Sequence, residues 1–228
     1  EDIVEMLIKS EADINIANKD GFTGLMIASS EGHTEIVNML ISAGANIELA
    51  NEDGWNALLL ACEHNHGEVI KLLIENKAKL DHFNIENLNA LMLATRNGNT
   101  EIIKLLIEKA CKIYAQNNYG WNALMYAAKC GNKDIVKILI ENKADVNIAR
   151  PDGVTALMIA SCEGHIEIVN MLIAADANID LVNKDGWNAL MFAAKSGNKD
   201  IVEMLIQKKA DVNIPSSDNS TALMIASS

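Results

Sequence analysis

Apolar residues recur along this chain in a pattern that repeats every 33 positions with no gap or insertion. Asp20, Asp53, Glu86, Tyr119, Asp152, Asp185 and Asp218 are spaced by that interval, and each precedes a version of G-x-T/N-A-L-M. Counting them as position 1, full repeats span 20–52, 53–85, 86–118, 119–151, 152–184 and 185–217, with half-repeats at 1–19 and 218–228. Within a repeat, Leu at position 6, Met or Leu at 7 and Ala at 9 predict a short helix whose small residue permits close packing. A second helix is predicted from I-V-x-M-L-I: Ile36, Val37, Leu40 and Ile41 share one face at i, i+4 spacing.

The polar positions punctuate this pattern. Position 2 is Gly or Asn in every repeat (Gly21, Gly54, Asn87, Gly120, Gly153, Gly186, Asn219), and so is position 13 (Gly32, Asn65, Gly98, Gly131, Gly164, Gly197). Both are residues that enter left-handed backbone cheaply, which predicts a tight turn at the first site and a helix stop at the second. Position 4 is Thr or Asn, suited to accept from the free amides of a helix start. An acid at position 16, such as Glu35 or Asp134, favours the positive end of the second helix. The stretch up to the next turn, for example Ala144-Asp145-Val146-Asn147-Ile148, reads as an extended finger. Two short helices and a finger cannot cover their own apolar face, so like units must stack.

This period, with the T/N-A-L-M-x-A, G-H/N-x-E-I-V and A-D-V-N segments, resembles the ankyrin repeat across essentially the whole chain. The resemblance implies an all-α repeat protein: one array over 1–228, a right-handed ankyrin-type solenoid of helix-turn-helix units with short β-hairpin fingers. The family's T-P-L-H is replaced here, by Thr155-Ala156-Leu157-Met158 and Thr23-Gly24-Leu25-Met26 among others. Hydrogen bonds from that histidine are therefore not expected to join these repeats. Residue 1 aligns inside a second helix and residue 228 inside a first one, so the chain is expected to be an excerpt of a longer array.

Charge narrows the range of ligands. A formal net charge of -12 over 228 residues argues against nucleic acid, which needs clustered Lys and Arg. No apolar run is long enough for a membrane span, and Glu1-Asp2-Ile3-Val4-Glu5 lacks the basic start of a signal peptide. Cys62, Cys111, Cys130 and Cys162 form no Cys-x-x-Cys pair, which argues against a disulfide framework or zinc site and for a reducing, cytoplasmic setting. No cofactor or metal is expected. His64-Asn65-His66 has no ligand partners at matching spacing, and His66 shares position 14 with His33 and His165, where a packing role is expected. Cys62, Cys130 and Cys162 read as semi-buried fillers rather than nucleophiles, and the stripe from Met26 to Met224 reads as core. Asn219-Ser220-Thr221 matches a glycosylation sequon but reads as turn and cap chemistry.

Trp55, Trp121 and Trp187 recur at position 3, between turn and helix cap, where the pattern does not call for core. By the resemblance, positions 33, 1, 3, 11 and 12 line a concave face that binds a protein or peptide. That carries over to Phe22, Glu31, Trp55, Glu63, Leu88, Arg96, Tyr119, Trp121, Lys129, Trp187 and Lys195 as the candidate binding residues. Packing of each Trp over its own turn and the neighbouring finger is the other reading of the series. The function expected is a non-enzymatic scaffold or adaptor, a monomer that binds a partner protein. The alternatives are the substrate-recruiting arm of a larger kinase or ubiquitin ligase, and a structural spacer.

Overall fold

The first helices up to Lys195 each begin where the side chain at position 4 takes up an amide that the helix itself leaves free, whereas Thr221 makes no such bond. In a computed structural model that describes residues 1–227, Asn56, Asn89, Asn122 and Asn188 accept from the N–H three residues on at 2.9–3.0 Å. Thr23 and Thr155 do the same at 3.3 and 3.4 Å. Those same helices stop at a left-handed residue at position 13, including a non-glycine, Asn65 (φ 60°). The second left-handed site, position 2, is occupied as expected from Gly21 to Asn219.

The chain divides into two compact units, Glu1–Lys112 and Ile113–Ser228. The first contains α1 (Asp2–Lys9), α2 (Gly24–Ser30), α3 (Thr34–Ser42), α4 (Ala57–Glu63), α5 (Gly67–Glu75), α6 (Ala90–Arg96) and α7 (Thr100–Glu108). The second contains α8 (Ala123–Cys130), α9 (Lys133–Glu141), α10 (Ala156–Glu163), α11 (Ile166–Ala174), α12 (Ala189–Lys195), α13 (Lys199–Gln207) and α14 (Ala222–Ala226). In the first unit α2, α4 and α6 pack in succession, and α3, α5 and α7 form a second layer behind them. The second unit repeats this with α8, α10, α12 and α14 in front of α9, α11 and α13. Burial follows the pattern. Leu58, Leu91, Leu124 and Leu157 of the first helices are closed off together with Val69, Ile102, Ile135 and Ile168 of the second. The methionine stripe is core from Met26 to Met191, but Met224 is 60 % exposed, because no described residue packs beyond α14.

The fingers are simpler than hairpins. Among the described residues they hold only single antiparallel bridges, Ala17 to Thr23, Ala50 to Asn56 and Ala149 to Thr155, not two-stranded ladders. The stretch expected to be extended contains a turn at Val146-Asn147, closed by the Asp145 carboxylate accepting from Asn147 N–H at 2.9 Å. Such short side chains offer the backbone a local partner in place of a strand. Position 29 then joins neighbouring repeats. Asn15, Glu48, Asn147 and Asp180 accept from the amides of Asn46, Lys79, Asn178 and Asp211 in the next repeat, at 2.8–3.0 Å.

Candidate protein-binding face

The finger tips are set by an asparagine just before the turn. Asn51 Oδ1 accepts from Trp55 N–H at 2.8 Å, Asn117 from Tyr119 and Trp121 at 2.9 Å each, and Asn183 from Asp185 and Trp187 at 3.0 and 2.8 Å. The amide oxygen thus pins the backbone on both sides of the left-handed residue and fixes where each indole leaves the chain. Sequence reasoning missed this role. Its signal was present in the 33-residue spacing of Asn18, Asn51, Asn84 and Asn117, interrupted by Arg150 and resumed at Asn183.

In the first unit the candidate residues converge on an open cleft of about 480 Å³ between two successive fingers. Phe22 and Trp55, both half-buried, line it together with Asp20, Glu52, Asp53 and Glu63, and Leu60 closes the floor. Gly21, in a left-handed conformation (φ 79°), sits so close to the next finger that an added Cβ would lie 3.0 Å from Asn51 Cβ, so a larger residue here would push on the neighbouring finger. Glu63 forms an ion pair with Arg96, its counterpart in the next repeat. Glu31 is exposed. Leu88 is a correction: it is only 3 % exposed and leaves the face. An aliphatic side chain gains by folding inward over its own turn, and nothing polar on Leu88 resists that.

In the second unit Trp121 is half-buried, with its ring centroid 5.1 Å from that of Tyr126 on the first helix of the same repeat. Two cations lie over the indole, Lys129 Nζ at 5.3 Å and Arg150 Cζ at 5.2 Å from the centroid. Arg150 is held in turn by Asp152 at 2.6 Å. Tyr119 stands out from the tip, 67 % exposed. Trp187 packs on Phe192 with centroids 5.4 Å apart, and Lys195 is exposed beside it on α12. The indoles are therefore neither free-standing nor buried: Trp121 and Trp187 rest on their own first helices, and all three show part of their surface to solvent.

The other candidates resolve by geometry. His66 is a packing residue: its Nε2 is 2.9 Å from the Ser30 carbonyl oxygen, and its ring fills the space over Gly32. His165 does the same to Lys129 and Gly131. Cys62 fits the filler role, fully closed off in α4. Cys130 and Cys162 do not, because lying two and one positions further along the helix brings the thiol out to solvent. Burial pushes the Cys62 thiol well above its ordinary range, with Cys111 and Glu63 adding to the effect, and burial pushes Cys111 up to about 12. Neither can act as a thiolate near neutral pH. No described helix is long and apolar enough to cross a membrane.

The model for ankyrin repeats in three copies matches residues 1–84, 79–150 and 157–228, and the model for many copies matches 131–173. The chain belongs to the ankyrin repeat family. Ankyrin repeats generally mediate protein–protein interaction. No curated protein matches this ankyrin chain. Its departure from the family's T-P-L-H leaves buried methionines such as Met92 and Met158 where the histidine would stand. The carbonyls ending the first helices are met instead by His66, His165, Asn97 and Asn198 from the following repeat.

Proposed function

We propose that this ankyrin chain is a non-enzymatic scaffold that binds a partner polypeptide across its finger tips and the ends of its first helices. The observation that carries this is the half-covered state of the position-3 aromatics. Phe22, Trp55, Trp121 and Trp187 are each held in place by an asparagine-pinned backbone and leave part of a large apolar ring open to solvent. Pre-positioned aromatic surface of this kind is what binding hot spots are made of, since little conformational freedom is lost on contact. The four free cysteines support an intracellular setting. A photo-crosslinking amino acid placed at Tyr119, and separately at Lys137 on the outer side of α9, tests the assignment. A partner should be captured from Tyr119 and not from Lys137. Capture from Lys137 alone would place the binding surface elsewhere.

A further inference from the structure

We infer that the cleft between the Phe22 and Trp55 fingers receives an arginine side chain from a basic, extended segment of the partner. This rests on the partner-binding face proposed above and names what one part of it recognises. The chain itself supplies the comparison. Trp121 lies two repeats after Trp55, and its indole is covered by two of the protein's own cations, Lys129 and Arg150. The residues at the same places relative to Trp55 are Glu63 and Asn84. The site that is filled from within at Trp121 has lost both cations at Trp55, and among the described residues no other cation lies over that ring.

What replaces them is negative charge. Asp20, Glu52 and Asp53 line the cleft, are exposed, and take part in no ion pair among the described residues, against a single lysine, Lys19. Glu63 is already matched by Arg96. An incoming cation would meet an aromatic face and three free carboxylates together. A guanidinium answers both better than an ammonium does, because it is planar, stacks on an indole and donates in a fork to carboxylate oxygens. The cleft is open and about 480 Å³, so a chain can pass over it while one long side chain reaches in.

The test uses the full chain and fluorescence anisotropy with three labelled probe peptides: alternating arginine and alanine, its lysine counterpart, and its citrulline counterpart, flat but uncharged. The arginine peptide should bind, the lysine peptide about tenfold more weakly, and the citrulline peptide not measurably. Trp55→Leu should weaken the arginine peptide by about tenfold and remove its advantage over lysine. The surface double change Asp20→Asn with Asp53→Asn should weaken both cationic peptides, and Lys137→Ala, on the outer side of α9, should change neither. Equal binding of arginine and lysine peptides, or arginine binding untouched by both the Trp55 and the carboxylate changes, overturns the inference. A partner still captured through Tyr119 while the arginine peptide fails would sink this cleft assignment alone. Loss of that capture would sink the wider face.

Discussion

His66 Nε2 lies 2.9 Å from the carbonyl oxygen of Ser30, so the N-cap residue of one repeat's second helix terminates the first helix of the repeat before it. Asn198 does the same job from the equivalent position, its amide nitrogen 2.8 Å from Ser161 O and 3.0 Å from Cys162 O. His66→Ala should therefore destabilise by about 1–2 kcal/mol, through one lost hydrogen bond and lost packing over Gly32. His66→Asn should recover a good part of that. Urea unfolding of the three proteins checks both, and an asparagine variant no better than alanine would mean that ring packing alone matters.

Leu124 and Leu223 occupy the same position of their repeats, yet Leu124 is closed off and Leu223 is 76 % exposed. Leu124→Ala should cost about 2–5 kcal/mol, as buried leucines do. Leu223→Ala should cost clearly less. Equal shifts in the urea midpoint would show that stability is shared along the repeats more evenly than nearest-neighbour packing allows.

Every second helix ends on a third left-handed residue, at position 25, which glycine occupies only once, as Gly44; the others include Lys77, Ala110 and Lys143. At Ala110 (φ 64°) the turn is closed by Ala110 N–H to Ile107 O and Cys111 N–H to Leu106 O, both 2.9 Å. The geometry suits glycine, and alanine strains against it. Ala110→Gly is expected to stabilise by about 0.5–1 kcal/mol, the left-handed penalty relieved less the greater freedom of unfolded glycine. Thermal and urea melts would both move upward.

The thiols should separate into two classes. Their raised pKa values keep Cys62 and Cys111 protonated in the folded state, while Cys130 and Cys162 face solvent. Iodoacetamide at neutral pH should label Cys130 and Cys162 rapidly and the buried pair only after unfolding. Raising the pH within the folded range should not expose the buried pair, because ionising either thiol requires placing a charge in a closed core.

Both helices of each repeat, the caps of the first helices and two of the three left-handed sites were legible in the sequence, because each rests on a residue type with a local physical preference. Position 25 was not legible: tertiary packing there forces Lys77 or Ala110 into a conformation that neither favours. The stretch around position 29 was misread as extended, since Asp145 and its counterparts at position 27 accept from the amide two residues on and close a turn, while Asn147 and its counterparts at position 29 accept from the next repeat. The face was legible as a set of positions, and Phe22, Trp55 and Glu63 do share one cleft. Leu88 was lost from it because a position rule says nothing of which way a small apolar side chain will fold. The cations over Trp121 were missed because the pattern places Arg150 at the far end of the repeat, and only the fold brings it from the following finger back over the indole.

Successive fingers are also tied by their main chains: Ile85 N–H donates to Asp53 O in the first unit, and Lys184 and Ser217 N–H donate to Asp152 and Asp185 O in the second, at 2.8–2.9 Å. These links make no use of any side chain. The residues displayed at the tips are thus released from structural duty, and selection can rewrite them one repeat at a time, changing what is recognised while the scaffold that presents them is inherited intact.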